Sequence, residues 1–160
     1  MVKQIKVQEE QVKTITRLSA HEQAMGDLYR AYAARFPETA GLFETLASAE
    51  RAHAKWVADF ATRMKAGELQ VNPRRFRLPA FETSLALIRE QIREVQASEG
   101  TLLTALSVAH DLEEGMLERR YFEVLEGDSP ELAELLQHLE RETAEHQTML
   151  REAWEGERRR

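Results

Sequence analysis

A repeat inside the chain restricts its fold more than any other feature. Pro37, Glu38, Ala40, Leu42, Phe43, Leu46 and His53 recur without gaps, at an offset of about 93 residues, as Pro130, Glu131, Ala133, Leu135, Leu136, Leu139 and His146. Each copy opens on a proline and an acid, which suit the first turn of a helix and the positive end of its dipole. The second half of the chain therefore echoes the first, with approximate two-fold symmetry. Hydrophobic periodicity predicts a first helix from about Gln8 to Phe36, its stripe formed by Val12, Ile15, Leu18, Met25, Leu28, Tyr29 and Tyr32. A second helix is expected from Pro37 to Ala66, and a crossover helix from Glu82 to Gln96. A third main helix, with Ser98 as its N-cap, is expected to reach Glu126, and a fourth to run from Pro130 to Trp154. Short turns lie within each pair of helices and one long link, Gly67 to Pro79, lies between the pairs. This describes an all-α, antiparallel four-helix bundle with one long crossover connection and a short crossover helix. A generic bundle with no chemistry explains the same periodicity.

Composition agrees with that architecture. The 160 residues suffice for a single domain spanning 1–160, and residues 156–160, after Gly156, are expected to form a disordered tail. A charged fraction of 31% with only seven Gly and four Pro suits long amphipathic helices and argues against an all-β fold. The formal charge of −6 argues against a nucleic-acid partner, which needs a basic footprint. Arg74, Arg75, Arg77 and the terminal Arg158, Arg159 and Arg160 are short groups that a solvated loop and tail explain. The chain has no cysteine, so disulfides, thiolate zinc sites, iron–sulfur clusters and cysteine nucleophiles are excluded. Any metal must rest on histidine and carboxylate. No apolar run approaches the roughly 20 residues of a membrane span, and Met1 to Gln11 lacks a signal-peptide core. The expected setting is cytoplasmic, without a membrane partner.

Glu50 and His53 stand three apart in Ala49-Glu50-Arg51-Ala52-His53-Ala54, so both leave one face of the second helix. They fall beside the apolar positions Leu46, Val57 and Phe60, where a buried Glu is costly unless paired, protonated or bound to metal. His146 occupies the place of His53 in the repeat, near Leu139, Met149 and Leu150. Glu22, beside Leu18 and Tyr29, and Glu113, beside Leu112 and Met116, are the candidates to face inward from the first and third helices. A bundle that holds two metal ions draws one Glu from each of two helices and a Glu-x-x-His pair from each of the others.

The segments Glu22 to Tyr29, Pro37 to Ala54 and Ala109 to Met149 resemble the rubrerythrin-like branch of the ferritin-like diiron-carboxylate family, in which a Glu is followed by a Tyr two turns on and later by Glu-x-x-His-Ala. The resemblance implies the ferritin-like bundle and a ligand set of Glu22, Glu50, His53, Glu113 and His146. There are two departures. The family's fourth-helix Glu falls on Thr143, with Glu142 beside it as a possible substitute. His110, three before Glu113, stands where rubrerythrins proper carry an additional Glu, and is either a sixth ligand or a donor to one. Glu22, Glu50 and Glu113 alone leave two ferrous ions under-neutralised, so the second metal is expected to bind more weakly unless Glu142 or His110 completes the site.

The resemblance further implies two iron ions, with manganese or zinc as substitutes. It implies oxidation of Fe(II) or reduction of peroxide in iron handling or oxidative-stress defence, with Glu50 bridging, Glu22 and Glu113 terminal or shifting, and Tyr29 bonded to the ligand shell or simply part of the core. Full rubrerythrins carry a cysteine-ligated rubredoxin-type domain as electron donor; this chain has no cysteine, so turnover requires an external redox partner. The competing reading is a non-enzymatic helical interaction module with a degenerate or absent metal site. Val2, Ile5, Val7, Val12 and Ile15 on the first helix are expected to extend into a homodimer interface.

Overall fold

The computed structural model describes residues 1–68, 79–118 and 130–160. Helix α1 spans Val2–Arg35, a 3-10 turn spans Pro37–Thr39, and α2 spans Ala40–Lys65. Helix α3 spans Pro79–Gln96, α4 spans Leu102–Glu118 and α5 spans Pro130–Arg158. The described residues contain no strand, and α1, α2, α4 and α5 form the ferritin-like bundle with α3 as the crossover helix. No described helix is long and apolar enough to cross a membrane. The expected basic loop with Arg74, Arg75 and Arg77, the short turn before Pro130 and the end of the third main helix at Glu126 lie outside the described residues.

The α1 stripe forms as its spacing requires: Ile15, Leu18, Met25, Leu28, Tyr29 and Tyr32 are all buried. Helix α1 stops where proline chemistry stops it. Phe36, which precedes Pro37, takes the extended conformation (φ −123°, ψ 81°) that the pyrrolidine ring imposes on its neighbour, and its N–H closes α1 on the Tyr32 carbonyl at 2.9 Å. The second helix differs slightly from expectation, because Pro37 opens a single 3-10 turn and regular α geometry begins only at Ala40. Helix α2 ends in a Schellman motif. Gly67, at φ 77°, donates to the Met64 carbonyl, and Glu68 donates to that of Arg63.

The N-cap assigned to Ser98 is corrected by the structure. Ser98 lies at φ 61° and closes α3, its N–H bonded to the Val95 carbonyl while Glu99 N–H reaches Glu94. This is the Schellman geometry again, with a serine in the left-handed position usually given to glycine. Thr101 caps α4 instead, its hydroxyl accepting the Thr104 N–H at 3.2 Å. At the C-terminal end α5 passes through Gly156 to Arg158, whose guanidinium packs over the Trp154 ring.

Two apolar clusters fill the bundle. One gathers Met25, Tyr29, Leu46, Ala47, Ala109, Leu112 and Leu150; the other gathers Ile15, Leu18, Val57, Met116 and Leu139. Ile15 is buried in this interior, Val12 packs partly against it, Val2 and Ile5 are exposed, and the Val7 side chain lies outside the described residues. Polar bonds tie α1 to its neighbours: Ser19 Oγ donates to the Ala54 carbonyl on α2, and His21 Nε2 meets Ser84 Oγ on α3 at 2.7 Å. The sequence numbers of the two clusters leave a gap on every main helix, between 18 and 25, 47 and 57, 112 and 116, and 139 and 150. What fills that gap is a polar layer.

Candidate metal centre

Glu22 from α1, Glu50 and His53 from α2, Glu113 from α4 and His146 from α5 occupy the layer, each at most 6% exposed. Helical spacing accounts for their direction. Glu22 sits one turn from Leu18 and Met25, while His53 follows Glu50 by three residues and so leaves the same face. Gly26, one turn beyond Glu22, lies against α2, where a Cβ would stand 3.4 Å from the Ala47 carbonyl oxygen and 3.5 Å from the Glu50 Cβ, in ordinary contact.

The two imidazoles mirror each other as the repeat requires. Their rings stack with centroids 5.8 Å apart and planes 18° from parallel. His53 Nδ1 lies 3.4 Å from Glu50 Oε2 and 4.0 Å from Glu22 Oε2. His146 Nδ1 lies 2.9 Å from Glu50 Oε1 and 3.5 Å from Glu113 Oε1. Glu50 therefore faces both histidines, one carboxylate oxygen to each. Tyr29 donates its phenol to Glu113 Oε1 at 2.6 Å, joining the aromatic core to the cluster.

Four buried atoms of this one cluster lack a hydrogen bond among the described residues: Glu22 Oε1, Glu50 Oε1, His53 Nδ1 and His146 Nδ1. Glu50 Oε1 and His146 Nδ1 are close without being aligned for one. Leaving such groups buried costs about 1–3 kcal/mol each, more when charged, so their convergence needs a physical reason. A cation held among them would supply it. Two sets of donor atoms, from Glu22, Glu50 and His53 and from Glu50, Glu113 and His146, each lie within 4.8 Å of one another and share Glu50. Nitrogen and carboxylate donors without sulfur suit iron, manganese or zinc, and the residues present fit a pair of such ions.

Burial and mutual charge shift the ionisable groups of the cluster. Burial, then the charges of Glu50 and Glu113, push the Glu22 carboxyl well above the usual carboxylate range. Burial also acts to raise Glu50, but Glu22, His146 and His53 outweigh it and hold Glu50 ionised, far below that range. Glu113 is raised by burial and by the Glu50 charge, against the lowering effect of His146 and Tyr29. Burial alone would lower both imidazoles. Glu50 and Glu142 instead raise His53, and Glu113 and Glu50 raise His146 to about 10.

The remaining candidates lie elsewhere. Glu142 does not enter the layer; it meets the outer Nε2 of His53, on the far side of the ring from Glu22 and Glu50. His110 lies apart from the layer, half-buried, with its Nδ1 3.6 Å from Asp111 and with Glu114 as a further neighbour. Thr143 is buried and brings a hydroxyl where the other half of the repeat has the Glu50 carboxylate. His138 and Trp56 were not among the sequence candidates. The i,i+4 spacing of His138 and Glu142 is readable, but nothing in it says that this pair meets His53 from another helix.

Fold and layer together define a ferritin-like bundle with a buried carboxylate–imidazole cluster at its centre. The family model described as Rubrerythrin matches residues 19–153, and the chain belongs to the rubrerythrin family. Comparison with curated proteins and with solved structures gives no match.

Proposed function

We propose that this chain is a diiron ferritin-like protein that reacts with Fe(II), dioxygen or hydrogen peroxide, in iron handling or oxidative-stress defence. The observation that carries this reading is the sharing of Glu50 between two three-residue donor sets whose inner atoms lack hydrogen bonds. Membership of a family that usually binds iron supports the choice of metal. Glu22, Glu50 and His53 would hold one ion, and Glu50, Glu113 and His146 the other, with manganese or zinc accepted by the same donors. A bound ferrous pair would supply two electrons to dioxygen or peroxide, and its oxidised form would take two electrons back from further Fe(II) or from a reductant.

The chain's own residues provide the setting. Glu50 faces both histidines and keeps its negative charge, so it is suited to bridge. Tyr29 holds one oxygen of Glu113 and restricts that carboxylate. The two apolar clusters keep bulk water from the layer and lower its dielectric, which strengthens every charge interaction inside it. With no cysteine in the chain, the reductant in a peroxide-reducing cycle comes from an external partner.

Metal content after anaerobic Fe(II) loading and desalting tests the reading, with a Glu50→Ala, His53→Ala double variant alongside. The expected result is about two irons per chain, lost in the variant. Absence of retained metal in both proteins would leave a helical scaffold and sink the diiron reading.

A further inference from the structure

A buried imidazole joins the polar layer to a half-exposed pair on α5, and Thr143 leaves the layer one carboxylate short. We propose that Glu142 is a positioning residue for His53 and supplies, one imidazole ring away, the negative charge missing at Thr143. The inference rests on the diiron reading above.

The contacts form a continuous line. Glu142 Oε2 is bonded to His53 Nε2, and its other oxygen, Oε1, lies 3.1 Å from His138 Nε2 one turn back on α5. His53 then turns its opposite nitrogen, Nδ1, toward Glu50 and Glu22. Trp56 packs against both imidazoles, its ring 5.8 Å from that of His53 and 5.1 Å from that of His138. Each group in the line is thereby fixed by a neighbour on another helix or one turn away.

This arrangement does two things for a cation beside His53. A carboxylate on the outer nitrogen retains the proton there, which leaves the inner nitrogen as a lone-pair donor aimed into the layer and makes it more basic. It also restores the charge balance. Two ferrous ions carry four positive charges, while Glu22, Glu50 and Glu113 bring three negative ones and Thr143 none. Glu142 makes the fourth without becoming a ligand, because a helix turns about 100° per residue and the residue before Thr143 cannot point where Thr143 points. The two ions are then unequal. Among the described residues, His146 meets carboxylates only through its inner Nδ1, so the outer support belongs to the His53 side alone.

Cobalt(II) titration under anaerobic conditions tests the proposal, with stoichiometry followed by equilibrium dialysis and ligand geometry by the visible d–d spectrum. In Glu142→Gln, one of two cobalt ions is expected to bind 10–100-fold more weakly with an altered spectrum, and the other to be unchanged. Far-ultraviolet dichroism checks that the variant, altered at a half-exposed position, stays folded. Adding Thr143→Glu to Glu142→Gln returns a carboxylate to the layer and is expected to restore both affinities to within a few-fold of the parent. Two affinities unchanged in Glu142→Gln would overturn the positioning role, and failure of Thr143→Glu to restore binding would overturn the charge argument. A parent protein that takes up no cobalt would fail earlier, and would overturn the diiron reading itself.

Discussion

Glu113 illustrates how a single buried carboxyl depends on its neighbours. It is 1% exposed, raised by burial and by the Glu50 charge, and held by one phenol hydrogen bond from Tyr29. Tyr29→Phe keeps the ring, its stacking on Phe43 and its place in the core, and removes only that donor. The expected cost in the metal-free protein is about 1–3 kcal/mol, the usual penalty for stranding a buried acceptor. Urea denaturation of the metal-free variant and its parent checks this; equal midpoints at equal slopes would show that Glu113 finds another donor. The same Tyr29 side chain packs in the core on one side and donates to Glu113 on the other.

At the scale of the elements, the ends of α3 and α4 carry the clearest consequence. Ser98 holds a left-handed backbone without the glycine that relieves it, whereas Gly67 occupies the equivalent place after α2. Ser98→Gly is therefore expected to stabilise the fold by roughly 1 kcal/mol, from relief of the left-handed penalty. Thr101→Ala, which removes the cap of α4, is expected to destabilise it by about 1 kcal/mol. In a chain of this size each change corresponds to roughly 2–4 °C in melting temperature, with opposite signs. Reversed signs would return the N-cap to Ser98. The sequence misled here because serine is a favoured N-cap, and only the backbone shows that it is finishing one helix rather than starting the next.

Across the whole molecule, the polar layer couples folding to pH and to metal. Glu22, Glu113, His53 and His146 all have pKa values raised by the fold, so the folded metal-free state holds more protons than the unfolded one. Stability must then fall as pH rises. For His146 the contribution is fully present below its ordinary 6.5 and is lost as pH climbs through about 10. Glu50 has the opposite sign, but its loss lies at strongly acidic pH. Metal-free protein is expected to melt at progressively lower temperature from about pH 6.5 to 10, and metal-loaded protein to resist that decline, because the ions replace the protons. Binding should accordingly release protons and tighten with rising pH until metal hydrolysis intervenes. Calorimetric melts across that range check the sign; a metal-free melting temperature that climbs with pH would contradict it.

The sequence by itself determined the helices and their pairing, and made Glu22, Glu50, His53, Glu113 and His146 the candidates to face inward. A 3.6-residue period and an internal repeat are local facts, and a Glu-x-x-His spacing chooses one helix face whatever lies opposite. Its end signals were weaker. Gly156 does not stop α5, and Pro37 delays α2 by one 3-10 turn, because helix ends are settled by packing and hydrogen bonds as much as by residue type. The outer contacts were decided by tertiary structure alone. That Glu142 meets His53 from behind, that Trp56 packs between two imidazoles, and that His110 stands aside with Asp111 depend on how far α5 is rotated against α2 and α4. A rotation of one residue, about 100°, would bring Glu142 toward the layer and turn Thr143 away. Helix phase across an interface is fixed by the packing of all its side chains together, and no single motif carries it.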